Sequence, residues 1–537
     1  MAVAIAVLLA LWGTFFFHRR RAPSSLDPFL SPYWHSTRRL RSMRDEVARV
    51  FSLIAASVAL AGLPVLAQAE DSTDDVEVLE RIWQGALERS RTYSFLEELS
   101  DRIGPRLTGS AEAREAAEWA LRQMRDIGLK NVHLEHWQLQ RSWRRGRATA
   151  ELISPYRLAL SVVSLGWTGS TKRGGVEAEV VRMDSMANGE ELTRDASHWR
   201  GKIVLLERKG AGTDRILEVA RLGAVARAAY QARAVAVIRE SPRPGVMLPH
   251  TDPPSFSDEM FPIPVLDMAA EHRQQLARLL EKGKKVRVRL NVENQFSAGP
   301  AQSSNVIGDI PGGEHAEQIV LLAAHLDSWD LGTGAVDDGF GVASVLGAVE
   351  AILRSGKAPP RTIRVALFTG EEQGLLGSRA YVRAHQSQIS DYLCSLAIDW
   401  GRGPVVGISV GGHEELIAPL ERLMRVAHGS EPIKITPEYM HFTDSYSFTL
   451  AGVPGIAFAQ EGRDSSMIGH SAADTIDKID RDVLVKTAAL AAQTAFWIAN
   501  HPRLGTVWSA AETAQALRKD KQQNLLESFG LWPFTQQ

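Results

Sequence analysis

Cysteine is almost missing from the chain. Cys394 is the single one in 537 residues, which excludes an intrachain disulfide framework. It sits in the apolar run 393–398, where a lone buried thiol is expected to pack as core material and not to act as a nucleophile. A charge excess of one sign is lacking as well: 61 basic residues face 63 acidic ones, for a formal net charge of −2. Such a balance offers no field for nucleic acid or an anionic membrane surface, so no nucleic-acid partner is expected. The apolar run 2–17 falls short of the roughly 20 residues a spanning helix needs. There is no compositional bias towards disorder or collagen and no internal repeat. What remains, 45% hydrophobic and 23% charged, is a globular protein too long for one ordinary core, so two folded domains with extra terminal segments are expected.

A second apolar stretch, 50–66, has the anatomy of an export signal. Arg44 and Arg49 give a basic start, 51–63 the apolar middle, and Ala67-Gln68-Ala69 a small-residue cleavage site that leaves Glu70 first. Met43 stands where such a peptide would begin. The expectation is a secreted or periplasmic protein cleaved after Ala69, with no stable membrane insertion after processing. Anchoring through the amino-terminal segment is the alternative.

Residues 70–90 read as a polar mature amino terminus, with the fold starting beyond. Over 110–127 the residues Ala113, Ala116, Ala117, Ala120, Leu121 and Met124 recur at helical spacing between a Ser110 cap and a Gly128 stop. A strand over 131–140 follows. From about 141 to 296 the texture is short strands with helical spacers: 176–181, 202–206, a helix over 215–234, then 235–238 and the strictly alternating 286–292. No cluster of His, Cys and carboxylates is evident there, so this segment is expected to bind or cover and not to do chemistry. From Ser303 onward, short and nearly unbroken apolar runs at 319–324, 363–369, 393–398 and 455–459 alternate with helices at 341–353, 415–427 and 482–500. Such runs are buried on both faces of a sheet, giving a three-layer α/β domain whose ligands sit at the carboxyl ends of the strands.

Each of these strand ends carries acid or histidine. The first run leads into His325-Leu326-Asp327, the second into Glu371-Glu372, the third into Asp399. Gly334-Ala335-Val336-Asp337-Asp338-Gly339 lies between them, and His470 follows further on. One such group alone would be a solvated loop. Several converging carboxylates without a cation would repel one another and neutralise. Zinc removes that cost, because it takes neutral imidazole and carboxylate oxygen, and two zincs can share a carboxylate and a water whose pKa they lower.

The order His-x-Asp, Asp-Asp-Gly, Glu-Glu, Asp, His resembles that of the co-catalytic di-zinc exopeptidase family, which includes secreted bacterial aminopeptidases. The runs 325–330 and 334–339, Ile103-Gly104-Pro105-Arg106-Leu107-Thr108-Gly109-Ser110, and Ala451-Gly452-Val453-Pro454-Gly455 carry the likeness over roughly residues 90–500. The resemblance implies two zinc ions per chain: His325 and Asp399 on one, Glu372 and His470 on the other, Asp337 bridging. It implies Glu371 as general base toward the bridging water, and a cis peptide between Asp337 and Asp338. Asp327 fits a supporting role, accepting the other ring proton of His325. It implies a mixed, mostly parallel sheet flanked by helices, with a β-rich protease-associated domain inserted at 141–298. The peptidase parts are then 70–140 and 299–505, preceded by an extension with signal at 1–69 and followed by a polar tail at 506–537 that docks or frays. The expected substrate is a short peptide, with a homodimer as an open option. His441, Asp444 and Tyr446 are candidates for steadying the oxyanion. Gly469, where a histidine is expected, and Trp400, where a smaller residue is usual, depart from the pattern and bear on substrate preference.

Overall fold

The computed structural model describes residues 73–184, 196–207, 215–241, 251–254, 259–399, 401–427, 432–461, 468–501 and 504–534. The signal-peptide reading and Trp400 lie outside these residues. Among the described residues no helix is long and apolar enough to cross a membrane.

The larger apolar runs build an eight-stranded mixed sheet. Its order is Lys130–Leu139, Ala301–Ile310, Arg361–Phe368, His315–His325, Tyr392–Ala397, Gly455–Gln460, Val405–Ser409, Lys434–Thr436. The four strands at its centre, from Arg361–Phe368 to Gly455–Gln460, run parallel, with Val320 beside Ile363 and Leu322 beside Leu396. Alternate residues of His315–His325 enter opposite layers. Val320, Leu322 and Ala324 join one core with the helices Phe340–Arg354 and Arg481–Asn500; Ile319, Leu321 and Ala323 meet Phe368, Tyr381 and Phe448 on the other face. Burial on both faces is why this strand has no polar alternation. The chain therefore has the expected α/β class with helices on both sides of a mixed sheet.

The helix Ala111–Ile127 forms as its caps dictate: the Ser110 hydroxyl accepts the Ala113 amide at 3.0 Å, and Gly128 turns the chain at φ 109°. The expectation that order begins only after residue 90 is wrong. Thr73–Arg89 is a helix whose Val78, Leu79, Ile82, Trp83 and Ala86 are buried on one stripe against the core, while Glu77 and Glu88 stay in solvent. Its acidic composition hid an amphipathic spacing. Residues 506–534 are ordered against the fold: Ser509 closes a capping box over Ala510–Lys519, and Leu517, Leu526, Phe529 and Leu531 pack on Leu375 and Tyr446.

Residues 148–292 supply a second eight-stranded sheet, ordered Leu158–Leu160, Ala148–Ser154, Arg287–Val292, Val176–Asp184, Ile203–Glu207, Ala236–Glu240, Val265–Met268, Val162–Ser164. The strands from Val176–Asp184 to Val265–Met268 are parallel. The helices Arg215–Gln231 and Ala270–Glu281 belong to the same segment. Val288, Leu290 and Val292 are buried, as the alternation requires.

Candidate metal centre

The carboxyl ends of the parallel strands converge, and the sequence fixes how. His325 closes its strand, Leu326 donates from its amide to the Phe368 carbonyl at 2.6 Å, and Ile398 donates to the Ala323 carbonyl at 2.9 Å, so the strand ends leave at one level. Gly370, at φ 78°, redirects the chain after Phe368 toward Glu371 and Glu372; a Cβ there would lie 2.6 Å from the Trp137 ring. Gly334, at φ 61°, opens the turn that delivers Asp337 just before the helix Phe340–Arg354. The Asp337–Asp338 peptide is cis, as the resemblance implies. Asp338 faces backbone, accepting amides of Gly341 at 2.8 Å and His325 at 3.2 Å. Asp474 joins the His470 loop to the turn by accepting the Val336 amide at 2.7 Å.

The structure brings His325, Asp337, Glu372, Asp399 and His470 into one cage, with Glu371 beside it; all are buried except His470, which is half-buried. Asp337 stands between the two imidazoles: its Oδ1 lies 3.1 Å from His325 Nε2 and its Oδ2 3.1 Å from His470 Nε2. Asp399 Oδ1 is 3.5 Å from His325 Nε2, and Glu372 Oε2 is 3.1 Å from His470 Nε2. Glu371 Oε2 is 3.9 Å from His325 Nε2. Donor atoms of His325, Asp337 and Glu372 lie within 4.8 Å of one another, as do those of His325, Asp338 and Asp399.

Electrostatics set the groups of the cage against one another. Burial raises the carboxyls of Glu371, Glu372 and Asp399, with Glu372 pushed up to about 7, although the neighbouring imidazoles pull the other way. Burial disfavours charge on His325 and His470 too, yet the surrounding carboxylates outweigh it and hold both well above the ordinary imidazole range. Asp337 also meets the burial penalty, but its close contacts with both imidazoles press it well below the usual carboxylate range. Meanwhile Glu372 Oε1 and Asp399 Oδ2 are buried without a hydrogen-bond partner, and Asp337 Oδ2 has close contact with His470 but no hydrogen-bond geometry. Buried oxygens left unsatisfied beside imidazole nitrogens are the donor set of a divalent-cation site.

Asp327 differs in detail from the expected role. The nearer acceptor for His325 Nδ1 is the Asp327 carbonyl, at 3.0 Å, while its carboxylate lies at 3.7 Å. That carboxylate instead accepts the Thr108 hydroxyl at 2.6 Å and the Glu371 amide at 3.4 Å. It thereby places the residue expected to act as base. Asp444 and Tyr446 are buried, with Asp444 Oδ1 and the Tyr446 hydroxyl unpartnered and Asp444 pushed up to about 8 by burial. The His441 ring packs edge-on against Tyr446 at 5.0 Å.

One contributor was not found in the sequence. Asp252, which belongs to the segment expected to carry no chemistry, accepts from His470 Nδ1 at 2.8 Å. Nothing in its sequence neighbourhood signals this, because its partner lies 218 positions away.

A buried imidazole–carboxylate cage at the strand ends of a three-layer α/β domain defines a metal-dependent hydrolase. Residues 305–495 match the model of peptidase family M28. The chain is 31% identical to human carboxypeptidase Q over 414 residues, 77% of this chain and 86% of that protein. A peptidase M28 precursor from Shewanella amazonensis superposes with a TM-score of 0.72 at 30% identity, covering 81% of this chain and 99% of that one. A zinc aminopeptidase from Bacillus subtilis shares the fold, with a TM-score of 0.60 at 21% identity over 78% of this chain and 98% of that one. The chain belongs to peptidase family M28 and is a metallopeptidase.

Proposed function

We infer that the protein is an exported, zinc-dependent exopeptidase that hydrolyses dipeptides or short peptides. The observation that carries this reading is Asp337, whose two oxygens each lie 3.1 Å from a different imidazole Nε2. That is the disposition a carboxylate shared between two cations requires. His325 and Asp399 would hold one zinc, Glu372 and His470 the other. When bound, zinc supplies Lewis acidity to the scissile carbonyl and to the attacking water.

The chain's own residues do the rest. Glu371 takes a proton from the attacking water and returns it to the leaving amine as the C–N bond breaks. Burial raises its proton affinity above that of an ordinary carboxyl, which suits it to hold that proton through the step. The Asp327 carboxylate, held by Thr108, accepts the Glu371 amide and fixes where the base begins. The likeness to carboxypeptidase Q supports removal of a carboxyl-terminal residue, and export rests on the sequence around residues 43–69. The second sheet, which reaches the site through Asp252, is suited to the covering role of a protease-associated insert.

The test is Glu371→Gln with metal content measured alongside turnover of free, amino-blocked and carboxyl-blocked dipeptides. Zinc should be retained while kcat falls by about 10²–10⁴, and carboxyl-blocking, not amino-blocking, should abolish cleavage by the wild type. Undiminished turnover overturns the base assignment. Loss of cleavage on amino-blocking makes the enzyme an aminopeptidase.

A further inference from the structure

We propose that Asp252 is a positioning residue that orients His470 toward the metal, so that the second sheet, through this one carboxylate, sets the affinity of the cation His470 holds. The inference rests on the reading of His470 as a ligand. The imidazole presents Nε2 to Glu372 and Asp337, and its other nitrogen, Nδ1, meets Asp252 Oδ1 at 2.8 Å and the Thr251 carbonyl at 3.1 Å. A proton on Nδ1 shared with a carboxylate fixes the tautomer whose Nε2 lone pair is free for a cation, and makes that nitrogen the better donor.

The remaining contacts hold Asp252 itself. Its Oδ2 takes Arg239 Nη2 at 2.7 Å, and Arg239 Nε reaches Asp267 at 2.9 Å. Arg239 lies on Ala236–Glu240 and Asp267 on Val265–Met268, adjacent parallel strands of the second sheet paired at that very register. The carboxylate is thus anchored to a sheet, not to a free loop. The backbone closes the same junction, since the Thr251 amide donates to the His470 carbonyl at 3.0 Å and the Gly166 amide to the Asp252 carbonyl at 3.1 Å. The Trp329 ring lies 6.0 Å from the His470 ring and 6.4 Å from Trp167, a residue between strands of the second sheet. Asp252 is 4% exposed and Asp267 fully buried, while the side chains of Arg239 and His470 keep 15% and 11% of their surface, so the carboxylates of the chain His470, Asp252, Arg239, Asp267 are withdrawn from water. Hydrogen bonds to carboxylates so withdrawn hold geometry more firmly than surface ones.

Zinc affinity of the full-length mature protein, measured by chelator competition, decides the matter for wild type, Asp252→Asn, Asp252→Ala, His470→Ala and the double variant Asp252→Ala/His470→Ala. Melting temperature in excess chelator reports on folding. Asp252→Asn keeps the volume and leaves Arg239 paired with Asp267, so it should melt like wild type without zinc. Both Asp252 variants are expected to weaken the zinc that His470→Ala also loses by about 10–100-fold, and Asp252→Ala should add nothing in the His470→Ala background. If His470→Ala binds zinc as wild type does, the reading of His470 as a ligand fails. If His470→Ala loses zinc while a folded Asp252→Asn keeps wild-type affinity, that reading stands and the role of Asp252 is refuted. Additive losses in the double variant also refute it.

Discussion

Arg106 belongs to the Ile103-Gly104-Pro105-Arg106 run, and its environment predicts a large effect for a conservative change. Its side chain has no solvent exposure. Nε donates to the Leu326 carbonyl at 2.8 Å, Nη1 to those of Gly104 at 2.9 Å and Thr333 at 2.8 Å, and Nη2 to that of Gly334 at 2.8 Å. The guanidinium therefore clamps the residue after His325 to the turn that carries Asp337. Burial lowers its pKa to about 10, against the pull of Asp474 and other carboxylates, so it stays charged at neutral pH. Hydrogen bonds from a charged donor contribute about 1.5–3 kcal/mol each. Four of them give a gross figure of roughly 6–12 kcal/mol, from which the cost of burying the cation must be subtracted. Lysine keeps the charge and the cost but cannot span carbonyls on both sides of a planar fork. Arg106→Lys should thus lose about 3–5 kcal/mol, the range for a buried charge deprived of its partners. In a chain this size that lowers the melting temperature by several degrees. Scanning calorimetry of the chelated protein measures it. Zinc affinity should fall in parallel, because the turn delivering Asp337 loosens. A variant melting within about a degree of wild type, with zinc held as tightly, would refute the clamp.

Metal removal and pH should act together. Burial raises Glu372 and Asp474 to about 7 and Asp444 to about 8, so the folded, metal-free protein keeps protons that the unfolded chain releases near pH 4. Stability from those protons is complete below about pH 4 and is lost as pH rises through 7 and 8. The raised imidazoles of His325 and His470 add in the same direction. Zinc binds the ionised carboxylates and neutral imidazoles, so the melting-temperature gap between loaded and chelated protein should widen from pH 5 to pH 8. A chelated protein that grows more stable across that interval would contradict the assignment of protons to the empty cage.

The sequence disclosed most where a single segment contains both cause and effect. The Ser110 and Gly128 caps bound a helix that forms between them, and unbroken apolar runs such as 319–324 announce a strand buried on both faces because each residue's layer is set by its own parity. The cage was legible for a related reason: parallel strands end at one level, so acids and histidines written just after each run are brought together by the sheet itself. Thr73–Arg89 was missed because average composition outweighed spacing, with Glu77 and Glu88 standing in solvent away from Val78, Ile82 and Trp83. Asp252 could not be found by any local rule. Its flanks, Thr251 and Pro253, read as a joint, and its role exists only because the second sheet's Arg239 and Asp267 hold it against a loop 218 positions on. The distinction is physical: a ligand is recognisable because coordination demands a chemical type at a strand end, whereas a residue that orients a ligand need only be an acceptor within reach, and reach is a property of the docked sheets.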